Sequence, residues 1–157
     1  MNNSERLRFT EITEKDAENI VAWRSDPNVY QYFVFAHKIT LEEHLKWYNE
    51  RYLQDDTRVD YIACLQNTEE PIGVFGIKKV DGESAEVNYL LKPVAQGKGY
   101  AKEAVSWLME EAARKWGVHT AIAEIHEGNL PSVRLVEKMG FQRKNKQGHF
   151  ITYKKRI

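Results

Sequence analysis

A glycine-rich stretch from Gln96 to Ala101 separates an apolar segment from the longest amphipathic stretch of the chain. Its two glycines, Gly97 and Gly99, let the backbone turn sharply and approach a ligand closely. The helix that follows would point its unpaired N–H groups and the positive end of its dipole back at the turn. The pattern predicts an anion site for a phosphate or pyrophosphate, with charge from the nearby lysines 98 and 102. The alternative is a strand-to-helix turn that binds no ligand.

Two well-known phosphate loops do not match this stretch. A P-loop needs a different glycine spacing and a hydroxyl residue for magnesium, and residues 97–100 have neither. A dinucleotide fingerprint needs a third glycine where Lys102 stands. The pattern that remains is Gln-x-x-Gly-x-Ala.

The composition is typical of one globular domain. The 157 residues can bury a substantial core, and no linker or repeat divides them, so we expect a single domain over residues 1–157. Apolar residues make up 42% and charged residues 29%. The 23 basic and 23 acidic residues cancel, which argues against nucleic acid or an anionic membrane as a partner.

Cysteine use and hydropathy predict a cytoplasmic protein. The lone Cys64 cannot form an intrachain disulfide, and its apolar neighbours favour an inert core thiol over a nucleophile. We find neither an N-terminal hydrophobic segment nor an apolar run of spanning length. The five histidines lack metal-ligand spacing, so no metal is predicted.

Periodicity and turn signals predict the element order β-α-α-β-β-β-α-β-α-β-β. The expected strands span 7–12, 60–65, 72–80, 85–91, 118–126, 141–144 and 150–153, and the expected helices start at 13, 40, 101 and 129. Thr13 and Thr40 have the spacing of helix caps, and residues 81–82 form a hairpin turn signal. A strand, a long helix and another strand indicate one parallel pair. We therefore expect an α/β (α+β) fold with a mixed, mostly antiparallel sheet of about seven strands and about four helices.

The glycine motif and this order of elements together resemble the GNAT superfamily of acetyl-CoA-dependent N-acetyltransferases. A second family signature is similar to residues 129–141, where Asn129 is followed by Ser132 and then by a Glu-Lys-Met-Gly-Phe ending. The alternative interpretation of this segment is a helix that starts with a proline and is capped by a glycine, with no family role. The resemblance extends over nearly the whole chain, and it implies that acetyl-CoA is the co-substrate and that an amine is acetylated by direct transfer.

The resemblance also implies where coenzyme A binds. In the family, backbone amides of the glycine loop hold the pyrophosphate. The strand corresponding to 87–91 splays from the one corresponding to 118–125, and the acetyl-pantetheine arm enters the gap and pairs with strand backbone. The implied coenzyme-binding residues are Leu90, Leu91, Gln96, Gly97, Lys98, Gly99, Tyr100, Ala101, Lys102, Asn129 and Ser132.

Two glutamates are candidates for the base that removes the amine proton. An ammonium has no lone pair with which to attack a thioester, so a carboxylate or a water chain must lie near the nitrogen. Glu86 and Glu124 lie on the two strands expected to line the gap, and many family members use a glutamate at a position like Glu86. The alternative for both is an exposed strand charge, and His126 is either a proton relay or a surface residue.

The chain departs from the family at Val136. Many members carry a tyrosine there, which donates a proton to the leaving thiolate. Ser132 on the same helix is the candidate replacement, since some branches with a similar helix use a serine, although helix capping competes for this residue.

The acceptor is predicted from the N-terminal third. Residues 23–33 and 41–48 resemble the branch of ribosomal-protein N-terminal and amino-sugar acetyltransferases. A small primary amine, such as an amino sugar on a nucleotide, is expected ahead of a protein N-terminus, because no acidic run is present to attract a basic ribosomal protein. Stacking or charged contacts to the acceptor are predicted for Arg24, Tyr30, Tyr32, Phe33, Phe35 and His44, with packing as the alternative for the aromatic residues.

A second function class stays open. The replacement of the tyrosine by Val136 favours a domain that binds coenzyme A without catalysis, whereas Glu86 and Glu124 favour an enzyme. Acetyl-CoA turnover separates the two. The sequence leaves the oligomeric state open, a homodimer included.

Overall fold

The computed structural model describes residues 2–33 and 36–157, and one seven-stranded sheet forms its centre. The strands are β1 (Leu7–Glu11), β2 (Arg58–Leu65), β3 (Pro71–Lys79), β4 (Ser84–Leu91), β5 (Thr120–His126), β6 (Gln142–Gln147) and β7 (Phe150–Arg156). They lie in the order β1-β2-β3-β4-β5-β7-β6, and every neighbouring pair is antiparallel except β4 and β5. The predicted mostly antiparallel sheet with one parallel pair is thus confirmed.

Among the described residues, five α-helices connect the strands. They are α1 (Ala17–Arg24), α2 (Pro27–Tyr30), α3 (Leu41–Glu50), α4 (Tyr100–Trp116) and α5 (Leu130–Lys138). The predicted caps are present: the Thr40 hydroxyl accepts the N–H of Glu43 and the Glu43 carboxylate accepts the N–H of Thr40, each at 3.1 Å. Thr13 and Asp16 form the same box one turn before α1. The element order is confirmed, and its boundaries move by a few residues because strand ends depend on pairing.

Helix α2 is an addition to the predicted elements. Its four residues fall where the sequence indicated a helix stop followed by an aromatic loop. The Asp26 carboxylate accepts the N–H of Asn28 at 2.9 Å, and Pro27 occupies the first turn, where its missing N–H costs nothing. The same residues therefore end α1 and start one further helical turn.

The helices cover both faces of the sheet. Residues of α4 and α5 form the larger core cluster with one sheet face, including Val105, Leu108 and Val136, which are fully buried. Residues of α1 and α3 form a smaller cluster on the other face, around Ile20 and Tyr48. Cys64 is half-buried at the edge of the second cluster, and burial raises the pKa of its thiol, in agreement with the predicted inert role.

Strands β4 and β5 separate soon after they meet. They pair only from Ser84–Thr120 to Glu86–Ile122. Beyond this point β4 remains paired with β3 as far as Leu91, and β5 remains paired with β7 as far as His126. The predicted splay is therefore present, and each arm is held open by its other neighbour.

Candidate active site

The glycine loop has the geometry of an anion cradle. Gly97 and Gly99 have φ angles of +78° and +82°, which residues with a side chain rarely adopt. Gly99 is also the N-cap of α4, and no side chain in the described part of the chain caps the first N–H groups of that helix. A Cβ atom on Gly97 would meet nothing within 4 Å, so the loop is open on that side. Exposed lysines 98 and 102 add positive charge, and the loop fits a pyrophosphate.

The N-terminal segment supports this loop from behind. A guanidinium N–H of Arg6 donates to the carbonyl of Lys98 at 3.0 Å, and its Nε lies 2.7 Å from Oε1 of Glu103 on α4. The guanidinium also lies over the Tyr100 ring, 4.5 Å from its centre. Sequence reasoning missed Arg6, since its partners lie more than ninety residues away along the chain.

The other predicted coenzyme-binding residues lie along the path from β4 to α5. Leu90 and Leu91 are in the part of β4 that has left β5, with buried side chains. The Gln96 amide donates to the carbonyl of Leu91 at 3.3 Å, which ties the loop to the end of the strand. Ala101 is partly buried against the core, so only its backbone is suited to a ligand.

Glu86 and Glu124 lie in different environments on the same sheet face. Glu86 is half-buried in the last residue pair of β4 with β5, and its carboxylate forms no hydrogen bond or ion pair with any described residue. Burial, and secondarily the charge of Glu124, raise its pKa above the ordinary 4.5. Glu124 is exposed and accepts a hydrogen bond from the Thr152 hydroxyl at 2.9 Å. Glu86 is therefore better suited to accept a proton.

A buried carboxylate that sequence reasoning missed lies on the same sheet face as these glutamates. Asp60 of β2 is only 5% exposed and forms a bidentate pair with Arg58, at 3.2 and 3.0 Å. It faces Asn88 of β4 across Gly76 of β3, where a Cβ atom would lie 2.4 Å from Oδ1 of Asp60 and 2.8 Å from Oδ1 of Asn88. The glycine in the middle of β3 was the sequence signal for this close approach.

Arg24 and His44 lie within electrostatic range of this carboxylate. Burial, followed by the charge of Arg58, lowers the pKa of Arg24, which forms no ion pair among the described residues. His44 is 4% exposed, and its Nδ1 has no hydrogen-bond partner among the residues that the structure describes. Burial and then the charge of Arg24 lower the pKa of His44, so it is neutral at neutral pH.

The aromatic residues that were predicted to contact the acceptor have different neighbours. The Tyr32 ring lies 5.5 Å from that of His126 at the end of β5, and the guanidinium of Arg24 lies 5.3 Å from the centre of Phe33. Tyr30 is partly buried at the end of α2. Phe35 lies outside the described residues. His126 contacts the rings of Tyr32 and His149, and its Nδ1 accepts the N–H of Gly128. These contacts are typical of a structural histidine.

Helix α5 directly follows β5, the strand that bounds the gap on the side away from β4. The Asn129 side chain caps this helix by accepting the N–H of Ser132 at 3.5 Å, a long contact. Val136 is fully buried in the core. The hydroxyl of Tyr89 on β4, a residue that sequence analysis passed over, is buried without a hydrogen-bond partner among the described residues. Burial raises the pKa of Tyr89, and the neighbouring Ser132 hydroxyl, whose contact with it falls short of a normal hydrogen bond, lowers that pKa by less.

The described residues contain neither a metal-binding cluster nor a membrane-spanning helix. No three histidine, cysteine, aspartate or glutamate side chains in residues 2–33 and 36–157 are grouped to hold a metal ion. None of the helices in these ranges combines the length and the apolar character needed to cross a membrane.

Comparison with known sequences links this geometry to one family. The acetyltransferase (GNAT) domain family matches residues 6–142. An uncharacterised protein of Methanocaldococcus jannaschii is 30% identical over 149 residues, which cover 90% of this chain and 29% of that protein. The uncharacterised N-acetyltransferase p20 of Bacillus licheniformis is 27% identical over 157 residues, with 97% and 86% covered. The acetyltransferase PseH of Campylobacter jejuni is 27% identical over 145 residues, with 92% and 83% covered. The chain thus spans less than a third of the M. jannaschii protein.

Solved structures share the fold over nearly its full extent. A domain from M. jannaschii has a TM-score of 0.85 at 26% identity, covering 99% of this chain and 100% of that one. Spermidine N-acetyltransferase from Vibrio cholerae, solved with CoA and spermine, has a TM-score of 0.84 at 17% identity, with 97% and 95% covered. RimL, a ribosomal L7/L12 alpha-N-protein acetyltransferase solved with coenzyme A, has a TM-score of 0.80 at 19% identity, with 98% and 96% covered.

Proposed function

The chain belongs to the acetyltransferase (GNAT) family and is an acyltransferase, and on this basis we propose that it moves the acetyl group of acetyl-CoA to a primary amine. The observation that carries the proposal is the gap that opens between β4 and β5 directly after Glu86. The anion cradle at Gly97 and Gly99 follows the open end of β4. Acetyl-CoA supplies an acetyl group activated as a thioester, and its pyrophosphate suits this loop.

Glu86 has the role of general base in this proposal. A bond forms between the amine nitrogen and the acetyl carbon, the carbon–sulfur bond breaks, and the amine proton passes to the Glu86 carboxylate directly or through water. The absence of any bonded partner for Glu86 among the described residues leaves its lone pairs available. Its raised pKa brings its proton affinity closer to that of the amine it must deprotonate.

We assign the acceptor side to the face that carries Arg24, His44 and Glu86. Arg58 is neutralised by Asp60, whereas Arg24 has no ion-pair partner among the described side chains. A partly buried guanidinium without a counter-ion favours an acceptor that carries a phosphate or carboxylate besides its amine. It also disfavours a polyamine, because like charges in a partly buried site repel. An amino sugar on a nucleotide meets both conditions.

A mass-resolved acceptor screen tests the proposal. The protein is incubated with acetyl-CoA and a mixture of amino-sugar nucleotides, polyamines and short peptides, and added acetyl mass is sought. We expect acetylated amino-sugar nucleotides. Acetylated peptides or polyamines with the sugars unchanged would overturn the acceptor class and leave the transfer reaction standing. Binding of acetyl-CoA with no acetylated amine would favour a non-catalytic coenzyme-binding module.

A further inference from the structure

Tyr89 carries a buried hydroxyl that forms no hydrogen bond with any described residue. Native proteins pair nearly all their buried polar groups, so an unpaired one calls for an explanation. The ring of Tyr89 stacks on Phe75, with centres 6.5 Å apart and planes 15° from parallel. Phenylalanine would keep this stacking and would avoid the cost of burying an unpaired hydroxyl. Local stability therefore does not account for the hydroxyl, and such violations concentrate at functional sites.

Tyr89 lies on the edge of the gap between β4 and β5. It follows Glu86 by three residues, so it lies on the arm of β4 that has left β5. Ser132, whose nearby hydroxyl lowers the pKa of Tyr89, belongs to α5, the helix that follows the other arm. One hydroxyl from each side of the gap is thus brought to the same place.

The two sheet faces separate the base from these hydroxyls. Side chains alternate along a strand, so Glu86 points to the side covered by α1 and α3, and Tyr89 points to the side covered by α4 and α5. A thioester that entered the gap edge-on would have a proton acceptor on one side and two hydroxyls on the other. Val136 is apolar, so the helix position that carries a tyrosine in many family members supplies no hydroxyl here.

We propose that Tyr89 is the residue that donates a hydrogen bond and then a proton to the sulfur leaving the acetyl group, with the Ser132 hydroxyl as the second member of the pair. This role rests on the acetyl transfer proposed above. As the carbon–sulfur bond breaks, its electron pair stays on sulfur and the Tyr89 O–H proton moves to it. The phenolate regains a proton through solvent, which balances the proton taken from the amine. Burial raises the pKa of Tyr89, so the hydroxyl keeps its proton at neutral pH until negative charge develops on the leaving sulfur.

The test compares Tyr89→Phe with Tyr153→Phe, a matched variant on β7 whose buried ring carries a hydroxyl 3.4 Å from the Glu137 carboxylate, away from the gap. The first readout needs no turnover: CoA bound to each protein is titrated by the ultraviolet absorbance of its thiolate. We expect Tyr89→Phe to raise the pKa of the bound thiol by about one pH unit, the size of one hydrogen bond to a charged group. We expect Tyr153→Phe to match the wild type.

Two further readouts exclude a packing effect. Tyr89→Phe should lower kcat by about 100-fold with little change in the KM for acetyl-CoA. Its melting temperature should equal or exceed that of the wild type, since the Tyr89 hydroxyl forms no hydrogen bond of normal geometry with the described residues. An equal bound-thiol pKa and equal kcat in Tyr89→Phe and the wild type would overturn the role of Tyr89 and leave the transferase proposal intact. A Tyr89-dependent thiol pKa in a protein that acetylates no amine would support the thiolate contact and overturn the proposed reaction.

Discussion

Glu86 of β4 lies opposite Ile122 of β5, and this pair is the last one that joins the two strands. The carboxylate therefore stands at the point where the sheet opens, half-buried and without a bonded partner among the described residues. Removing its charge should affect chemistry more than folding.

Replacement of Glu86 by glutamine should lower kcat/KM for the amine by about 100-fold or more, the usual size of a general-base effect. Glutamine keeps the shape of the side chain and leaves the glycine loop untouched, so acetyl-CoA affinity measured by calorimetry should stay close to wild type. Glu124→Gln is the control, because Glu124 is exposed and bonded to Thr152. A larger loss in Glu124→Gln than in Glu86→Gln would reverse the two roles.

The pH profile of kcat/KM should have an acid limb set by Glu86. A base must be deprotonated to act, so activity should fall as the pH drops through the Glu86 pKa, which burial, and secondarily Glu124, raise above 4.5. In Glu124→Gln the repulsion between the two carboxylates is removed and the limb should move to lower pH. A limb that does not move would show that the Glu124 charge does not influence the titrating group.

Gly97→Val should abolish acetyl-CoA binding. A branched side chain would fill the open side of the loop, where the pyrophosphate must approach. Gly148→Val is the matched control, because Gly148 also has a positive φ, +60°, with open space around it, and lies in the β6–β7 turn. Both variants carry a similar backbone cost, so calorimetry should separate loss of the site from loss of folding. Gly99 is a poorer test, since a Cβ atom there would meet Arg6 at 3.3 Å and disturb the support of the loop.

Arg6→Met should weaken acetyl-CoA binding modestly, by about 5-fold, the equivalent of one hydrogen bond. Methionine retains much of the side-chain length but loses the contacts to the Lys98 carbonyl and to Glu103. Lys98→Ala removes a lysine side chain at the same loop and should have a similarly small effect, since the main donors are backbone N–H groups. A 100-fold loss in Lys98→Ala would instead assign the site to side-chain charge.

Arg24→Met should raise the KM for an acceptor that carries a phosphate by about 10-fold or more, because a charge-assisted hydrogen bond is lost. The matched measurement uses the free amino sugar without the nucleotide, whose KM should change little. Steady-state kinetics with both acceptors gives the comparison. Equal sensitivity of the two acceptors would assign Arg24 to the architecture of the pocket.

Several features could be predicted because their signals are local in sequence. Two glycines between a strand and an amphipathic helix indicate the anion loop at 96–101, and hydroxyl caps and period changes indicate the order of helices and strands. The short helix 27–30 was missed, because the proline that ends one helix also suits the first turn of the next.

The reactive details depend on contacts between residues far apart in the chain. The burial of Glu86 and the exposure of Glu124 follow from where β4 leaves β5, and strand pairing is not encoded in either strand alone. The approach of Asp60 to Asn88 requires both strands to flank Gly76 in one register. The unpaired hydroxyl of Tyr89 is visible only when α5 has closed over the sheet, since hydrogen-bond satisfaction is a property of the packed molecule.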